Sequence, residues 1–258
     1  MRRTVALGLV IVLLAACARK EVKEYPPPPT LTCKRAIDAI KVDGALTEKS
    51  WQSAQPLELI LREGTAKPKY PTTVRVVWDD KMLYVAFECV DPDIWTTKTR
   101  RDDKLWEEEV VEVFLDPTGT GDPYFEFEVN PANTVVDLRL MKSLKGMLRR
   151  GVMWDCKGLR TAVKVEGKIH SWDVGKDEKG RWTVEMGIPF ESLDSLPNCP
   201  PKAGDSWKVN FYRVERPAAL RNEDDEYSAW SPLYYAKSYH TLERFGTLIF
   251  SDQPVATK

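Results

Sequence analysis

The stretch that decides the fold reads Thr73-Val74-Arg75-Val76-Val77-Trp78, then Asp79-Asp80-Lys81, then Met82-Leu83-Tyr84-Val85-Ala86-Phe87-Glu88-Cys89-Val90. Two runs of β-branched and aromatic residues around a short polar break predict a β-hairpin. Alternation along a strand places Val74, Val76 and Trp78 on one face. A loop that carries Trp106 beside three acidic residues leads into a third strand at residues 110–115. These strands predict a two-layer β architecture.

The rest of the chain continues this pattern of short strands separated by turn residues. Further strands are predicted at residues 36–42, 57–61, 124–130, 134–141, 159–166, 169–174, 181–188, 207–214 and 245–250. Within residues 134–141 the apolar positions are expected to point inward, and Asp137 and Arg139 outward. Thr47 is expected to cap a short helix that carries Trp51. Residues 143–150 are basic and fit a short helix or a loop, and residues 190–196 a helical turn. The fold class predicted is all-β, an immunoglobulin-like or jelly-roll antiparallel β-sandwich with short helical turns.

The N-terminus has the features of an export signal. Arg2-Arg3 precedes an apolar run that ends at Leu14-Ala15-Ala16-Cys17. The run is too short to span a bilayer comfortably, and small residues before a cysteine resemble the lipobox of bacterial lipoproteins. The resemblance implies a signal peptide over residues 1–16, cleavage before Cys17 and lipidation of that residue. Ala18 favours an outer-membrane location. An ordinary secretory signal with a chance cysteine is the alternative.

Residues 17–31 are charged and then proline-rich, which predicts a semi-rigid spacer between a lipid anchor and the domain. The domain is expected over residues 32–251, followed by a tail over residues 252–258. The chain has 258 residues, which suffices for one sandwich and leaves no room for an additional catalytic barrel. Its formal net charge of −1 argues against a nucleic-acid partner, which requires a concentrated basic face.

Four cysteines follow Cys17 in the sequence, and an exported protein meets an oxidising compartment. They are Cys33, Cys89, Cys156 and Cys199. One or two disulfides are therefore expected, with three possible full connectivities. The spacings match no zinc pattern. Buried free thiols are the alternative, above all for Cys89 on a predicted core strand.

Several motifs, taken in order, resemble family 9 carbohydrate-binding modules. They are Val42-Asp43-Gly44 with Trp51, Val74-Arg75-Val76-Val77-Trp78-Asp79-Asp80, Trp106-Glu107 with Val111-Glu112-Val113-Phe114-Leu115-Asp116, Trp230-Ser231-Pro232, and Phe245-Gly246-Thr247-Leu248. The order and spacing of the set are more specific than any single motif. The resemblance spans residues 36–250.

The resemblance implies non-catalytic carbohydrate binding at one end of a sandwich, where two aromatic side chains hold a sugar. Trp106 stands at the position of the first aromatic residue, and Tyr239 is the candidate for the second. Glu112 and Asn130 match polar positions that contact the sugar, whereas Glu128 stands where the family has an arginine. A membrane-anchored protein of this kind would support the breakdown of a polysaccharide such as xylan or glucan.

The residues themselves indicate a polar patch on the sheet, independently of the resemblance. Glu112 lies on the strand face opposite Val111, Val113 and Leu115, and a carboxylate in mid-sheet needs partners or water. Glu128, Asn130, Asp137 and Arg139 are expected on polar faces of the following strands. Together they would suit recognition of hydroxyl groups. A solvated sheet face with paired charges is the alternative.

Three further possibilities remain open at this point. The Gly-containing turn from Asp116 to Asp122 has oxygen ligands that suit a structural Ca²⁺ ion, although a plain polar turn also fits. A haem-binding electron-transfer domain of the DOMON type would use His240 or His170 with Met82 or Met186 as axial ligands. A scaffold lipoprotein with a degenerate sugar site is the third reading. No other cofactor is expected.

Overall fold

The structure is a computed structural model that describes residues 24–142, 148–151, 154–171, 179–193, 196–217 and 224–256. The expected signal peptide and Cys17 lie outside the described residues, as do residues 143–147 and the last part of the expected strand at 169–174. Within the described part of the chain, no helix is both long enough and apolar enough to cross a membrane.

Strands dominate the described residues, and the helical elements are single turns. The strands are β1 (Thr30–Arg35), β2 (Leu57–Glu58), β3 (Ile60–Leu61), β4 (Thr72–Trp78), β5 (Met82–Val90), β6 (Val110–Asp116), β7 (Tyr124–Val129), β8 (Val135–Lys142), β9 (Leu148–Gly151), β10 (Arg160–Glu166), β11 (Arg181–Pro189), β12 (Ser206–Glu215), β13 (Glu226–Ala229) and β14 (Gly246–Pro254). The helix α1 covers Lys49–Ser53, and 3-10 turns occupy Leu105–Glu107, Phe190–Leu193 and Leu242–Arg244.

The strands join in one hydrogen-bonded path that folds over itself into two layers. Its order is β10-β11-β5-β4-β1-β14-β12-β6-β7-β8-β9, with β2, β3 and β13 attached at the side. The predicted hairpin is β4–β5, in which Val76 lies opposite Val85. Most neighbours are antiparallel, but β1 runs parallel to both β14 and β4. The all-β sandwich predicted from the sequence is confirmed, with this parallel strand as an added feature.

The main core lies between the layers and contains the apolar face of the hairpin. Val74, Val76 and Trp78 are buried there together with Phe87 and Phe211. Each fully buried side chain of this size stabilises the fold by roughly 1.5–3 kcal/mol relative to an exposed one. Trp78 also donates its indole N–H to the carbonyl oxygen of Ser251 at 3.0 Å, which fixes β14 against β4.

A second apolar cluster covers the opposite face of β6, β7, β8 and β12. Its members include Phe114, Tyr124, Leu138, Tyr212 and Phe245. The segment between β13 and β14 packs over this face, so these strands are buried on both sides. This second covered face is the structural basis of the candidate site.

The prediction of which side chains in residues 134–141 point inward and which outward was therefore wrong in one respect. Val136, Leu138 and Leu140 are buried as expected, but in the second cluster and not in the main core. Asp137 is buried on the other face, where it pairs with Arg101 and accepts the backbone N–H of Cys156 at 2.5 Å. These two partners offset the cost of burying its carboxylate.

Several predicted boundaries also differ from the structure. Residues 36–42 form no strand, and the first strand is instead the preceding β1. The helix around Trp51 begins after Glu48, and no side chain caps it, so Thr47 is not its cap. The described part of residues 143–150 contains the strand β9. The described part of residues 169–174 contributes only an isolated bridge between Trp95 and His170. The last strand runs on to Pro254, into the predicted tail.

The proline-rich segment packs against the domain from Tyr25 onward and is not a free spacer there. The ring of Tyr25 stacks on that of Tyr234 with centroids 4.5 Å apart. Arg244 donates to the carbonyl oxygen of Pro26 at 3.0 Å, and the backbone N–H of Thr247 donates to that of Pro29 at 2.9 Å. The domain therefore starts several residues before the predicted position 32.

The disulfide prediction was wrong, because Cys33, Cys89, Cys156 and Cys199 form no disulfide with one another. The first three are buried, and Cys33 and Cys89 pack as small apolar side chains in the main core. The alternative of buried thiols, which the sequence left open, describes these three residues.

The turn from Asp116 to Asp122 is closed by hydrogen bonds of its own. The carboxylate of Asp116 accepts the backbone N–H groups of Thr118, Gly119 and Gly121 at 2.8–3.1 Å. These contacts orient the Asp116 oxygens toward the turn's own backbone. The geometry is that of a plain polar turn.

Candidate functional site

A cavity of about 290 Å³ opens on the second covered face, beside the segment after β13. Its lining residues are Arg62, Trp106, Glu112, Phe114, Glu126, Val214, Arg216, Tyr227, Lys237, Tyr239 and His240. Three of the four residues predicted from sequence to bind sugar, Trp106, Glu112 and Tyr239, thus line one cavity. The fourth, Asn130, is not among the lining residues.

Trp106 forms part of the cavity wall from the 3-10 turn that precedes β6. The turn buries Leu105 completely, while Trp106 stays partly exposed. Arg216 donates to the carbonyl oxygen of Trp106 at 3.4 Å and is itself paired with Asp225. Arg216 therefore fixes the backbone of the turn, and the indole of Trp106 remains accessible from the cavity.

Glu112 and Glu126 contribute carboxylates to the cavity lining from neighbouring strands. Register between β6 and β7 places Glu112 opposite Glu128, and Glu126 opposite Phe114. Glu112 and Glu126 are thus diagonal neighbours on one face, at a Cα separation of roughly 7–8 Å. They are 2% and 4% exposed, respectively, so water cannot solvate them freely.

Tyr239 contributes a second aromatic ring to the lining. One face of this ring stacks on Tyr212, with centroids 3.9 Å apart and planes 12° from parallel. Its hydroxyl donates to the carbonyl oxygen of Arg213 at 3.0 Å, and the Tyr212 hydroxyl donates to that of Tyr239 at 2.9 Å. Burial raises the pKa of both phenols well above the ordinary value, so both remain donors at neutral pH.

Basic residues complete the wall. The guanidinium of Arg62 lies 4.0 Å from the ring centre of Tyr227 and donates to the carbonyl oxygen of Lys237 at 3.1 Å. Arg62 also pairs with Glu63. His240 shares a hydrogen bond of 2.9 Å between its Nδ1 atom and the Tyr124 hydroxyl. Sequence reasoning missed Arg62 and His240 as lining residues, because neither belongs to a motif that carries the family resemblance.

Asn130 is completely buried and performs a structural task. Its amide N–H₂ donates to the Thr96 hydroxyl and to the carbonyl oxygen of Lys98, and its amide oxygen accepts the backbone N–H groups of Ala132 and Thr134. An asparagine side chain offers two donors and two acceptor positions, so its hydrogen-bonding capacity is filled. These contacts hold the loop between β7 and β8 to the loop before Trp106.

The profile of the family described as carbohydrate family 9 binding domain-like matches residues 42–253. The chain belongs to this family. The match covers the hairpin, the Trp106 turn and the segment that carries Tyr239. No curated protein matches the chain.

Solved structures of family 9 modules share the fold. A module from Caldicellulosiruptor kristjanssonii in complex with glucose has 17% identity and a TM-score of 0.58, covering 88% of this chain and 98% of that one. A module from the same organism in complex with cellotriose has 16% identity and a TM-score of 0.56, covering 86% of this chain and 95% of that one. A Bacteroides uniformis protein proposed to bind carbohydrate has 18% identity and a TM-score of 0.63, with coverages of 86% and 99%.

Outside the cavity, this family 9 domain buries a second group of carboxylates. Asp91, Glu109 and Glu215 bring oxygen atoms within 4.8 Å of one another, a donor set that a divalent cation would accept. Arg213 lies among them and donates to Asp91 at 3.0 Å and to Glu215. Burial raises the pKa of Glu109 and of Glu215 well above the ordinary value. Arg213 therefore offsets part of the negative charge, and the raised pKa values favour retention of protons by the two glutamates.

The residues considered as haem ligands are dispersed over the domain. Met186 packs in the main core and Met82 in a third cluster around Trp51. His240 lies against Phe114 in the second cluster, and His170 bridges to Trp95. These positions do not bring a histidine and a methionine to opposite sides of one cavity.

Proposed function

We infer that this protein binds carbohydrate without catalysing its breakdown, and that the cavity of Trp106, Glu112 and Tyr239 holds the sugar. One observation carries the inference. Two aromatic residues and an acidic residue, separated by up to 133 positions in sequence, converge on one cavity in a family 9 domain.

The chemistry of the lining suits a pyranose. Aromatic rings pack against the C–H faces of a sugar, and Trp106 and Tyr239 provide such rings. Carboxylates accept hydrogen bonds from hydroxyl groups, and Glu112 supplies such an acceptor. Apolar walls with a few converging polar groups are typical of small-molecule sites.

Solved family 9 modules in complex with glucose and with cellotriose support the ligand class. A glucose-based oligosaccharide is therefore the first ligand to try. Glucan is accordingly favoured over xylan as the polysaccharide that this protein serves. The alternatives of electron transfer and of a pure scaffold have no comparable support from the site.

A glycan array followed by calorimetric titration tests this function. The described domain, starting at Glu24, is expected to bind glucose or a short glucan, and cellotriose is expected to be recovered intact after prolonged incubation. Binding to no glycan would overturn the carbohydrate function and favour the scaffold alternative. Release of shorter sugars would overturn its non-catalytic character. A Soret band in the absorption spectrum would favour the haem alternative.

The lipobox-like sequence before Cys17 supports a membrane-anchored location for this binding activity. A lipid-anchored protein of the outer membrane would hold a polysaccharide close to the cell, where partner enzymes degrade it. Several acyl chains bury enough apolar groups for stable anchoring, whereas one chain alone would be marginal.

A further inference from the structure

Glu126 lines the cavity, and one of its carboxylate oxygens has no hydrogen-bond partner among the described residues. The residue is 4% exposed, and its Oε2 atom is buried without a hydrogen bond to any described residue. Buried polar side-chain atoms usually have at least one hydrogen-bond partner. Such an oxygen in a cavity indicates that something else supplies the donor.

The surroundings of Glu126 show why the protein itself does not satisfy this oxygen. On the strand face that it shares, its register neighbours are Phe114 on β6 and Leu138 on β8, and both are apolar. The two arginines of the cavity wall have carboxylate partners of their own. Arg62 pairs with Glu63, and Arg216 pairs with Asp225.

An unpartnered buried carboxylate reduces stability, because its desolvation is not offset by a hydrogen bond. A leucine or methionine at this position would extend the apolar cluster of Phe114 and Leu138. Groups that reduce stability are typical of functional sites, where removal stabilises the protein and abolishes function. Glu126, with a buried carboxylate oxygen that no described residue satisfies, is such a destabilising group in the free protein.

We propose that Glu126 is a ligand-binding residue that accepts a hydrogen bond from a donor group on the bound sugar. It acts beside Glu112, and one sugar ring can bridge the two carboxylates because they are diagonal neighbours on adjacent strands. The ligand class is a sugar that presents a hydrogen-bond donor toward β7, either a hydroxyl group or the ammonium group of an amino sugar. This inference rests on the proposed carbohydrate function.

Titration of the full chain in detergent with glucose, cellotriose and glucosamine tests the proposal, for the wild type, Glu126→Gln and Glu166→Gln. Glu126→Gln is expected to lower affinity at least tenfold and to leave the melting temperature unchanged or raised, because glutamine removes the buried charge and keeps the shape. Glu166 is exposed on β10, so Glu166→Gln is the matched control and should bind like the wild type. Should Glu126→Gln melt lower, Glu126→Asp retains the charge and tests the geometry.

The three sugars distinguish the two donors. An ammonium donor predicts that glucosamine binds more tightly than glucose and that Glu126→Gln removes this preference. A hydroxyl donor predicts equal losses for glucose and glucosamine. If the wild type binds a sugar and both Glu126→Gln and Glu126→Asp bind it within twofold of the wild-type affinity, the proposal for Glu126 is overturned. The proposed carbohydrate function would then still stand. Absence of wild-type binding to any glycan overturns the proposed function, and this proposal with it.

Discussion

Tyr239 and Tyr212 stack face to face, with ring centres 3.9 Å apart, and each tyrosine is also fixed by a hydrogen bond from its hydroxyl group. The stack uses one face of the Tyr239 ring. It also ties the segment after β13 to β12 in the middle of the sheet. The residue that the sequence offered as the second aromatic of the site is thus a rigid part of the fold.

Tyr239→Phe should retain binding, because the ring and its stack on Tyr212 persist. The lost hydrogen bond to Arg213 should cost about 0.5–1.5 kcal/mol of stability. Tyr239→Ala should weaken sugar binding by about 2 kcal/mol or more, roughly 30-fold, as expected for an aromatic anchor. Thermal melts and titration calorimetry of both variants check this. Equal affinity for Tyr239→Ala and the wild type would remove Tyr239 from the site.

Trp106→Ala should abolish sugar binding with little change in melting temperature, because Trp106 is partly exposed at the cavity. Trp78→Ala should do the reverse. Trp78 is 1% exposed in the main core, so truncation should cost about 3–5 kcal/mol of stability. Thermal melts and titration calorimetry of both variants check these two expectations. A strongly lowered melting temperature for Trp106→Ala would show that Trp106 is a core residue and that the site lies elsewhere.

The sequence predicted the β4–β5 hairpin well, because β-branched and aromatic residues alternate on either side of a polar turn. It predicted the burial of Val136 and Leu138 but not the layer that they face. Alternation shows which residues share a face, and when both faces of a strand are buried it does not show which one meets the main core. Asp137 can be buried on the main-core face because Arg101 and the Cys156 backbone N–H satisfy its carboxylate there.

Of the site, the motif order was enough to bring Trp106, Glu112 and Tyr239 together. The inclusion of Asn130 could not be judged from the sequence, since its partners Lys98 and Thr134 depend on how two loops meet. The strand at residues 36–42 was predicted from its apolar residues. Ile37 and Ile40 pack in the third cluster without forming a ladder, so apolar spacing there reports burial and not strand structure.

Thiol titration of the described domain, denatured without reductant, should find four free thiols. In the native state only Cys199, which is partly exposed, should react quickly. Burial raises the pKa of Cys89 and of Cys156 to about 12, which leaves little thiolate at neutral pH. Burial raises the pKa of Cys33 as well. Fewer than four thiols in the denatured chain would restore the disulfide hypothesis.

Glu109→Gln should change how stability depends on pH. The pKa of Glu109 and of Glu215 is raised by burial, so the folded state keeps protons that the unfolded state releases near 4.5. Their contribution to stability is full below that pH and is lost as pH rises through the raised pKa. Removing one such carboxyl should flatten the decline, by up to about 1.4 kcal/mol per pH unit over its titration range.

Urea unfolding of the wild type and of Glu109→Gln between pH 5 and pH 8 measures this difference, and the other titrating groups cancel in the comparison. Identical pH profiles would contradict it. Stabilisation of the wild type by added Ca²⁺, without stabilisation of Glu109→Gln, would give a different result. It would show that a metal ion balances the charge of the carboxylates in place of protons.

Cys17→Ser should release the protein from the membrane fraction or leave it unprocessed, because the acyl chains of the proposed anchor would attach at that cysteine. Fractionation and metabolic labelling with a radioactive fatty acid check the outcome. A wild type that is already soluble and carries no label would contradict the anchoring proposal.

The docking of Tyr25 on Tyr234 has a mechanical consequence. Tyr234 is three positions from Lys237 and five from Tyr239, both of which line the cavity. A pull on the chain before Tyr25 would therefore load this tyrosine stack first, within a few residues of the cavity. Under the proposed anchoring and sugar binding, tension on the chain would therefore reach the segment that carries Lys237 and Tyr239 before it reached the sheet, and it would change how long a sugar stays bound.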